Sequence, residues 1–362
     1  MKVLLVGDYS SAHLNLYRGL MRNGISCDIV TSGDSWKKID GNITVNSSYS
    51  GFVGKVISAI KPFYMLSKKE INNYDVIQFV NPCFLYGSAK YSRMLFNAKF
   101  KQHPNKFIMA CGDCSIFWAA SKKELTYGPF DDWLKFDLQR QTCNWQSDEY
   151  IEYCNYFYEN MKAIIPVMHE YDVGLRNSYH SEKVLTPVPL MVCETTLTPP
   201  SQTRYQDNKL VVFHGLNRPG FKGSHYIKPA FDIVRSEAIG SKFKFVIDGK
   251  LPLAQYLELL NSASVVVDQA NSYSLGMNGV YSLGLGQKVL GGAEPESLAM
   301  LNELKSPIVN IKPDIEDIAQ RLRETLSEMT PEKTINEDSL EFFYKHHEAK
   351  KNSLLFLERW MQ

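Results

Sequence analysis

The sequence predicts an α/β protein made of two Rossmann-like domains facing a cleft, and three observations lead there. The chain has 362 residues, too many for one ordinary hydrophobic core and enough for two. Short apolar runs ending in glycine or aspartate alternate with segments of helical spacing, the pattern of a parallel sheet covered on both faces. The alternation breaks off near residue 186, passes through a proline-rich stretch and then restarts. Two doubly wound halves place a ligand cleft at the carboxyl ends of their strands.

The elements follow in order. "KVLLVG" (2–7) is a buried parallel strand, and "AHLNLYRGLMRNG" is a helix with Leu14, Leu16, Leu20 and Met21 on one face and Gly24 as its stop. "ISCDIVTSG", "YDVIQFVN", "KFIMACG" and "AIIPVM" are the further strands of the first half. "TPVPLMVCETTLTPPSQTRYQDN" holds four prolines and many hydroxyls, a linker composition. Beyond it "KLVVFHG", "FKFVIDGK", "ASVVVDQ" and "KVLGG" repeat the strand theme. "SLEFFYKHHEAKKNSLLFLERWMQ" carries an apolar stripe at helical spacing, which predicts one closing amphipathic helix. The expected division is an N-terminal domain over 1–190, a linker over 191–208, a second domain over 209–340, and a C-terminal helix over 341–362 that crosses back to the first domain.

Composition narrows the function. At 44% hydrophobic, 22% charged and a formal net charge of +1, the chain is an ordinary globular one. Its charge is uneven: Val76 to Gly112 contains no Asp or Glu but has Lys90, Arg93, Lys99, Lys101 and Lys106. Such a patch suits an anionic partner, a membrane surface or a phosphorylated lipid, or else is a solvated face; no nucleic-acid partner is expected. "GFVGKVISAIKPFYMLSKKE" (51–70) sets Phe52, Val53, Val56, Ile57 and Ile60 beside Lys55, Lys61, Lys68 and Lys69, so it reads either as a membrane-surface helix or as a helix covering the sheet. No signal peptide and no run of 18 apolar residues is visible, and the seven scattered cysteines suit a reducing compartment, so a cytoplasmic location is expected. Cys111-Gly-Asp-Cys114 has no second pair at zinc spacing. Gly7-Asp-Tyr-Ser-Ser-Ala is not G-x-G-x-x-G, which argues against nicotinamide and flavin cofactors.

The chemistry lies in the second half. "FHGLNRPGFKGSHYIKPAF" has a strand ending at Gly215, then Arg218, then Lys222-Gly223 entering a helix. Two fixed cations and a helix N-terminus stabilise a diphosphate leaving group without a metal. This stretch resembles the opening of the donor domain of GT-B glycosyltransferases, in particular the retaining family 4. The resemblance implies that Arg218 and Lys222 hold the donor diphosphate and that Asp248, Gly249, Leu251 and Pro252 border the nucleobase. "DQANSYSLGMNGVYSLGLGQKVLGG" (268–292) is similar to the same family's glutamate motif when laid on Gly276 and on Gly286-Gln-Lys-Val289. Its two glutamate positions then fall on Tyr273, implied to meet the donor sugar with Met277, and on Tyr281, implied to meet the ribose. Gly276 and Asn278 are implied to lie beside the donor phosphate. A phenol donates and accepts one hydrogen bond but cannot chelate two hydroxyls, so the site is either a modified donor site or a decayed one.

In the first half the candidates sit on loops after strands: Asp8, Ser10, Ser11 and His13, then Asn81, then Asp113. Asp8, Ser10 and Ser11 form the expected acceptor loop. His13 is a candidate base or a helix-capping group, and Asp113 a candidate catalytic group near the donor sugar. Asp131-Asp132 reads as a helix start and no metal is expected. The resemblance implies a metal-independent, retaining transferase. It would move a sugar from a nucleotide-sugar donor to a saccharide, lipid-linked in surface polysaccharide assembly such as O-antigen or capsule, with a peripheral place at the membrane as a further expectation. The alternatives are a silent GT-B-like protein that binds glycan or a partner, and a GT-B-shaped sugar-nucleotide epimerase.

Overall fold

The structure is a computed structural model that describes residues 1–33, 39, 41–45, 51–85, 88–197, 204–206, 208–330 and 334–362. In the first half the elements are β1 (Lys2–Val6), α1 (Ala12–Arg22), β2 (Ser26–Thr31), β3 (Ile43–Thr44), α2 (Gly51–Ser67), β4 (Val76–Phe79) and α3 (Ala89–Lys99). They continue with β5 (Lys106–Ala110), α4 (Ser115–Lys123), α5 (Phe130–Asp132), a π-helical turn at Trp133–Leu138, α6 (Asp148–Glu159), β6 (Ala163–Pro166) and α7 (His169–Arg176). The second half adds β7 (Tyr205–Gln206), β8 (Lys209–Gly215), α8 (Pro219–Lys222), α9 (Ser224–Ser236), β9 (Phe243–Asp248), α10 (Leu253–Asn261), β10 (Val265–Val267) and α11 (Met277–Gly284). It closes with β11 (Lys288–Gly291), α12 (Pro295–Ala299), β12 (Val309–Asn310), α13 (Ile315–Ser327), α14 (Glu337–His346) and α15 (Ala349–Met361).

These elements form two compact units. The first is Met1–Ala120, Asn144–Val188 and Ala349–Gln362; the second is Ser121–Cys143 and Pro189–Glu348. The first unit holds a six-stranded sheet in the order β3-β2-β1-β4-β5-β6, all parallel. β1 and β4 are buried from Val3 to Val6 and from Val76 to Phe79, because helices cover both faces and every residue of a central parallel strand meets a neighbour. The second unit sets β12-β11-β10-β8-β9 in parallel, with β7 antiparallel against the start of β8. Its core gathers Val212, Phe231, Val267, Leu290 and Leu322, all fully buried.

The chain's last stripe is two helices rather than the single one expected. α14 ends at His346, where Val192 donates its N–H to the His347 carbonyl at 2.9 Å and His347 Nδ1 bonds the Leu190 carbonyl at 2.7 Å. These tertiary bonds break the helix although the apolar spacing runs through. α14 belongs to the second unit and α15 to the first, where α15 packs on α1. Gly19 lets the two helices meet, since a Cβ there would come within 2.3 Å of the Ala349 carbonyl oxygen. Trp360 is buried and donates Nε1–H to Gln78 Oε1 at 2.8 Å. Trp360→Phe keeps one aromatic ring but removes the indole N–H and part of the buried bulk, stranding that oxygen, so chemical denaturation should show a loss of at least about 1–3 kcal/mol.

Two surface expectations are refined here. Lys106 is buried, with its ammonium on the carbonyls of Lys101 and His103, so it does not belong to the basic surface. α2 exposes Val56, Ile60 and Tyr64 at 40%, 60% and 56%, a stripe four residues apart. The side chains of Phe52 and Val53, and residues 198–203 of the expected linker, lie outside the described residues. No helix among the described residues is long and apolar enough to cross a membrane, and all seven cysteines are free thiols.

Candidate active site

The second unit brings the predicted diphosphate residues to the carboxyl ends of β8 and β10. Arg218 caps the short helix α8, which Pro219 opens with its preset φ. Its guanidinium lies 3.7 Å from the centroid of Phe221 and 5.6 Å from that of Trp133. Lys222 closes α8 and is 9% exposed; its Nζ lies 2.9 Å from Asp268 Oδ1. The other carboxylate oxygen, Oδ2, accepts the Gly276 N–H at 2.7 Å, so Asp268 also caps α11. Sequence reasoning assigned Asp268 no role, although a carboxylate directly after three valines was the signal available.

Asn278 and the buried Tyr256 hydroxyl both crowd the end of β8. A Cβ on Gly215 would approach the Tyr256 oxygen to 2.3 Å and Asn278 Nδ2 to 2.8 Å, which is why a glycine ends that strand. Burial, and next the Asp268 charge, push the Tyr256 phenol well above its ordinary value. The candidate base loop is built by close approach too. Gly249 faces the Leu216 carbonyl, to which a Cβ would come within 2.2 Å. Leu216 N–H bonds the Asp248 carbonyl at 2.8 Å, and Lys250 N–H bonds Asn217 Oδ1 at 3.0 Å. Asp248 is exposed and Leu251 half-buried.

The two tyrosines lie inward. Tyr281 is 2% exposed within α11, and Met277, at the start of the same helix, is 9% exposed. Tyr273 is 6% exposed, accepts the Thr126 N–H at 3.1 Å and pairs with Thr126 Oγ1 at 2.7 Å. Its ring stacks on Tyr127 at 4.8 Å, and Tyr127 Oη donates to Glu294 at 2.8 Å. Tyr273 thus fastens the segment Ser121–Cys143 to the second unit, a role the sequence did not suggest.

That segment makes a second attachment. Asp137 accepts the backbone N–H groups of Gly220 and Phe221 at 3.0 and 2.9 Å. Asp132 accepts from Asn271 Nδ2 at 2.8 Å, and His225 Nε2 lies 3.2 Å away. Gly220 is required here, because a Cβ would sit 2.3 Å from the Asp132 carbonyl oxygen. Asp137→Ala should lower stability by about 1–2 kcal/mol and speed hydrogen exchange at the Gly220 and Phe221 amides.

In the first unit the loops after β1, β4 and β5 are joined. Gly7 takes a φ of 82° and leaves no room for a Cβ, which would meet the Phe84 carbonyl oxygen at 2.1 Å. Asp8 is 1% exposed and accepts the N–H groups of His13 and Leu14 at 3.2 and 3.1 Å, so it caps α1 from within. Ser10 and Ser11 are consecutive left-handed residues with φ of 54° and 67°, a strained pair at a loop of interest. Asn81 Nδ2 bonds the carbonyls of Cys111 and Asp113 at 2.9 and 3.1 Å, and Asp113 is half-buried.

His13 proves to be a core histidine. It is fully buried, Nδ1 bonds the Gly7 carbonyl at 2.7 Å, and Nε2 faces Gln78 Nε2 at 3.5 Å. Burial lowers its pKa to about 3 against the raising effect of the Gly7 bond, so it is neutral and shielded from an acceptor hydroxyl. The geometry supports a structural role for it rather than the candidate role of base.

No family model and no curated protein matches the chain. Solved structures do. Sucrose-phosphate synthase from Thermosynechococcus elongatus superposes at a TM-score of 0.63 with 13% identity, covering 100% of this chain and 99% of that one. Anabaena Alr3699/HepE in complex with UDP-glucose gives 0.59 and 13% identity, covering 99% and 98%. The chain has the GT-B glycosyltransferase fold. WaaG, a glycosyltransferase involved in lipopolysaccharide biosynthesis, shares this GT-B fold at 0.55 and 11% identity, covering 98% and 99%. Within the GT-B fold, Asp268 stands at the carboxyl end of β10, where α/β sheets bind ligands, and Lys222 at the end of α8 and Gly276 at the start of α11 meet on it.

Proposed function

We propose that the chain is a glycosyltransferase that moves a sugar from a nucleotide-sugar donor to a saccharide hydroxyl, with the donor held by the second unit and the acceptor by the first. The observation that carries this is the Lys222 ammonium, fixed 2.9 Å from Asp268 beside the capped start of α11, in a fold shared end to end with a protein that binds UDP-glucose. In this reading Lys222 and Arg218 face the diphosphate and Asn278 the donor phosphate or sugar. Asp248, Gly249 and Leu251 border the base, and Asp113 meets the reacting sugars. Fixed cations suit a metal-independent transfer, and family 4 would make it retaining.

A lipid-linked acceptor in surface polysaccharide assembly fits the exposed α2 stripe. Val56, Ile60 and Tyr64 stand beside Lys68, whose ammonium lies 4.2 Å from the Tyr64 centroid. The anionic inner face of a membrane is the proposed peripheral partner.

A second reading is favoured by a specific observation. Tyr273 is engaged by Thr126, Tyr281 is buried, and the α8 N–H groups are bonded to Asp137, which suits a silent GT-B-like protein. Thermal stabilisation by UDP, GDP, dTDP, ADP and CMP, free and sugar-linked, separates the two. A donor site predicts a raised midpoint with one of them and its loss in Lys222→Ala. No shift with any at millimolar concentration sinks the transferase reading.

A further inference from the structure

We propose that Asp268 is the positioning residue of the donor site, holding the Lys222 ammonium and the first turn of α11 at a fixed separation so that both meet one diphosphate. This rests on the donor reading above. Asp268 is fully buried at the end of β10, and its two oxygens are divided between partners from different parts of the chain. Oδ1 lies 2.9 Å from Lys222 Nζ, 46 positions away, and Oδ2 accepts the Gly276 N–H at 2.7 Å. Glycines wall the carboxylate in. A Cβ on Gly279 would come within 3.0 Å of Oδ2, one on Gly276 within 3.3 Å of it, and one on Gly291 within 3.4 Å of the Asp268 Cβ. The rotamer therefore has little freedom.

The residues that follow grip α8 as well. Ala270 donates its N–H to the Lys222 carbonyl at 2.9 Å, and Asn271 Nδ2 donates to the Gly220 carbonyl at 2.9 Å. Lysine carries a flexible four-carbon stem, and anchoring its ammonium before the ligand arrives removes that ordering cost from binding. The direct charge effect of Asp268 on a diphosphate is repulsive, so positioning and simple neutralisation of Lys222 predict opposite signs when the charge is removed.

Asp268→Asn keeps an acceptor for Gly276 and loses the charge. Calorimetry should show the best-binding nucleoside diphosphate among UDP, GDP, dTDP and ADP weakened roughly 10- to 100-fold, with the matching nucleoside unchanged. In a Lys222→Met background the same substitution should add less than about twofold, because Asp268 acts through Lys222. Tighter or unchanged diphosphate binding overturns the assignment, as does an equal loss for the nucleoside or an undiminished loss beside Lys222→Met. If Asp268→Asn does not fold, NMR on the wild type decides. With the diphosphate bound, the Gly276 amide should keep its through-hydrogen-bond coupling to the Asp268 carboxyl carbon, and a coupling to phosphorus in its place would mean that the diphosphate takes the carboxylate's position, overturning the assignment. A wild type that binds none of the four overturns the diphosphate-donor reading and this assignment with it, whereas the variant results overturn this assignment alone.

Discussion

Lowering the pH from 7 to 5 should cost the protein about 6 kcal/mol, about 2 kcal/mol from each of three buried neutral histidines. His13, His214 and His347 are shielded from solvent, and burial lowers their pKa values to about 3, about 4 and about 4. The neutral form is built into the hydrogen bonds. His214 Nδ1 bonds the Val267 carbonyl at 2.8 Å while Nε2 meets Ser224 Oγ at 2.7 Å, and His347 Nδ1 bonds the Leu190 carbonyl at 2.7 Å. Above the ordinary histidine value of 6.5 neither state binds the extra proton, and stability does not depend on these groups. Below it the unfolded chain protonates while the native one does not, so stability falls steadily until the pH reaches the folded values near 3 to 4. Denaturant midpoints followed from pH 7.5 to 4.5 should slope accordingly, and the second unit, with two of the three groups, should fall faster. His214→Gln should flatten the slope summed over both units by about a third and that of the second unit by about half. A flat profile would mean that these histidines are solvated.

The second large effect is at Lys222. Lys222→Ala leaves the fully buried Asp268 carboxylate without its cation, and an uncompensated charge of this kind costs about 3–5 kcal/mol. Replacing both partners, Lys222→Met with Asp268→Asn, removes the charge and should recover most of the loss in a denaturant titration. Loss of nucleotide response in that double variant, measured while it is folded, reports on the ligand rather than on unfolding. Should Lys222→Ala prove as stable as the wild type, the pair is better solvated than its burial indicates.

The strands of both sheets were legible because central parallel strands are covered on two faces and read as unbroken apolar runs: β1, β8 and β10 stood out for that reason. β3, β7 and β12 were not, since two residues carry no period. The break between α14 and α15 was hidden because bonds from Leu190 and Val192 make it, not a local stop signal. In the site, Lys222 and Gly276 were picked out by their resemblance to the GT-B motifs, but their meeting on Asp268 is a tertiary fact. Thr126 and Asp137 were beyond sequence reasoning, as they sit in the first half and pack in the second unit. His13 looked like a base or a cap because its residue type was visible and its enclosure was not.

Neither unit is an uninterrupted stretch of chain, and this bears on how the protein reaches its native state. The first unit closes only when α15 returns to α1, where Asn23 donates to the Lys350 carbonyl 327 positions downstream. Until that loop closes, the face of α1 built for α15 stays open to other chains, and so large a loop makes the step slow. Assembly should therefore be concentration-sensitive, with aggregation competing most strongly in refolding mixtures before the last helix docks. Cutting the protein at one point to express either half will not yield a unit, whereas supplying residues 349–362 as a separate peptide should rescue the first.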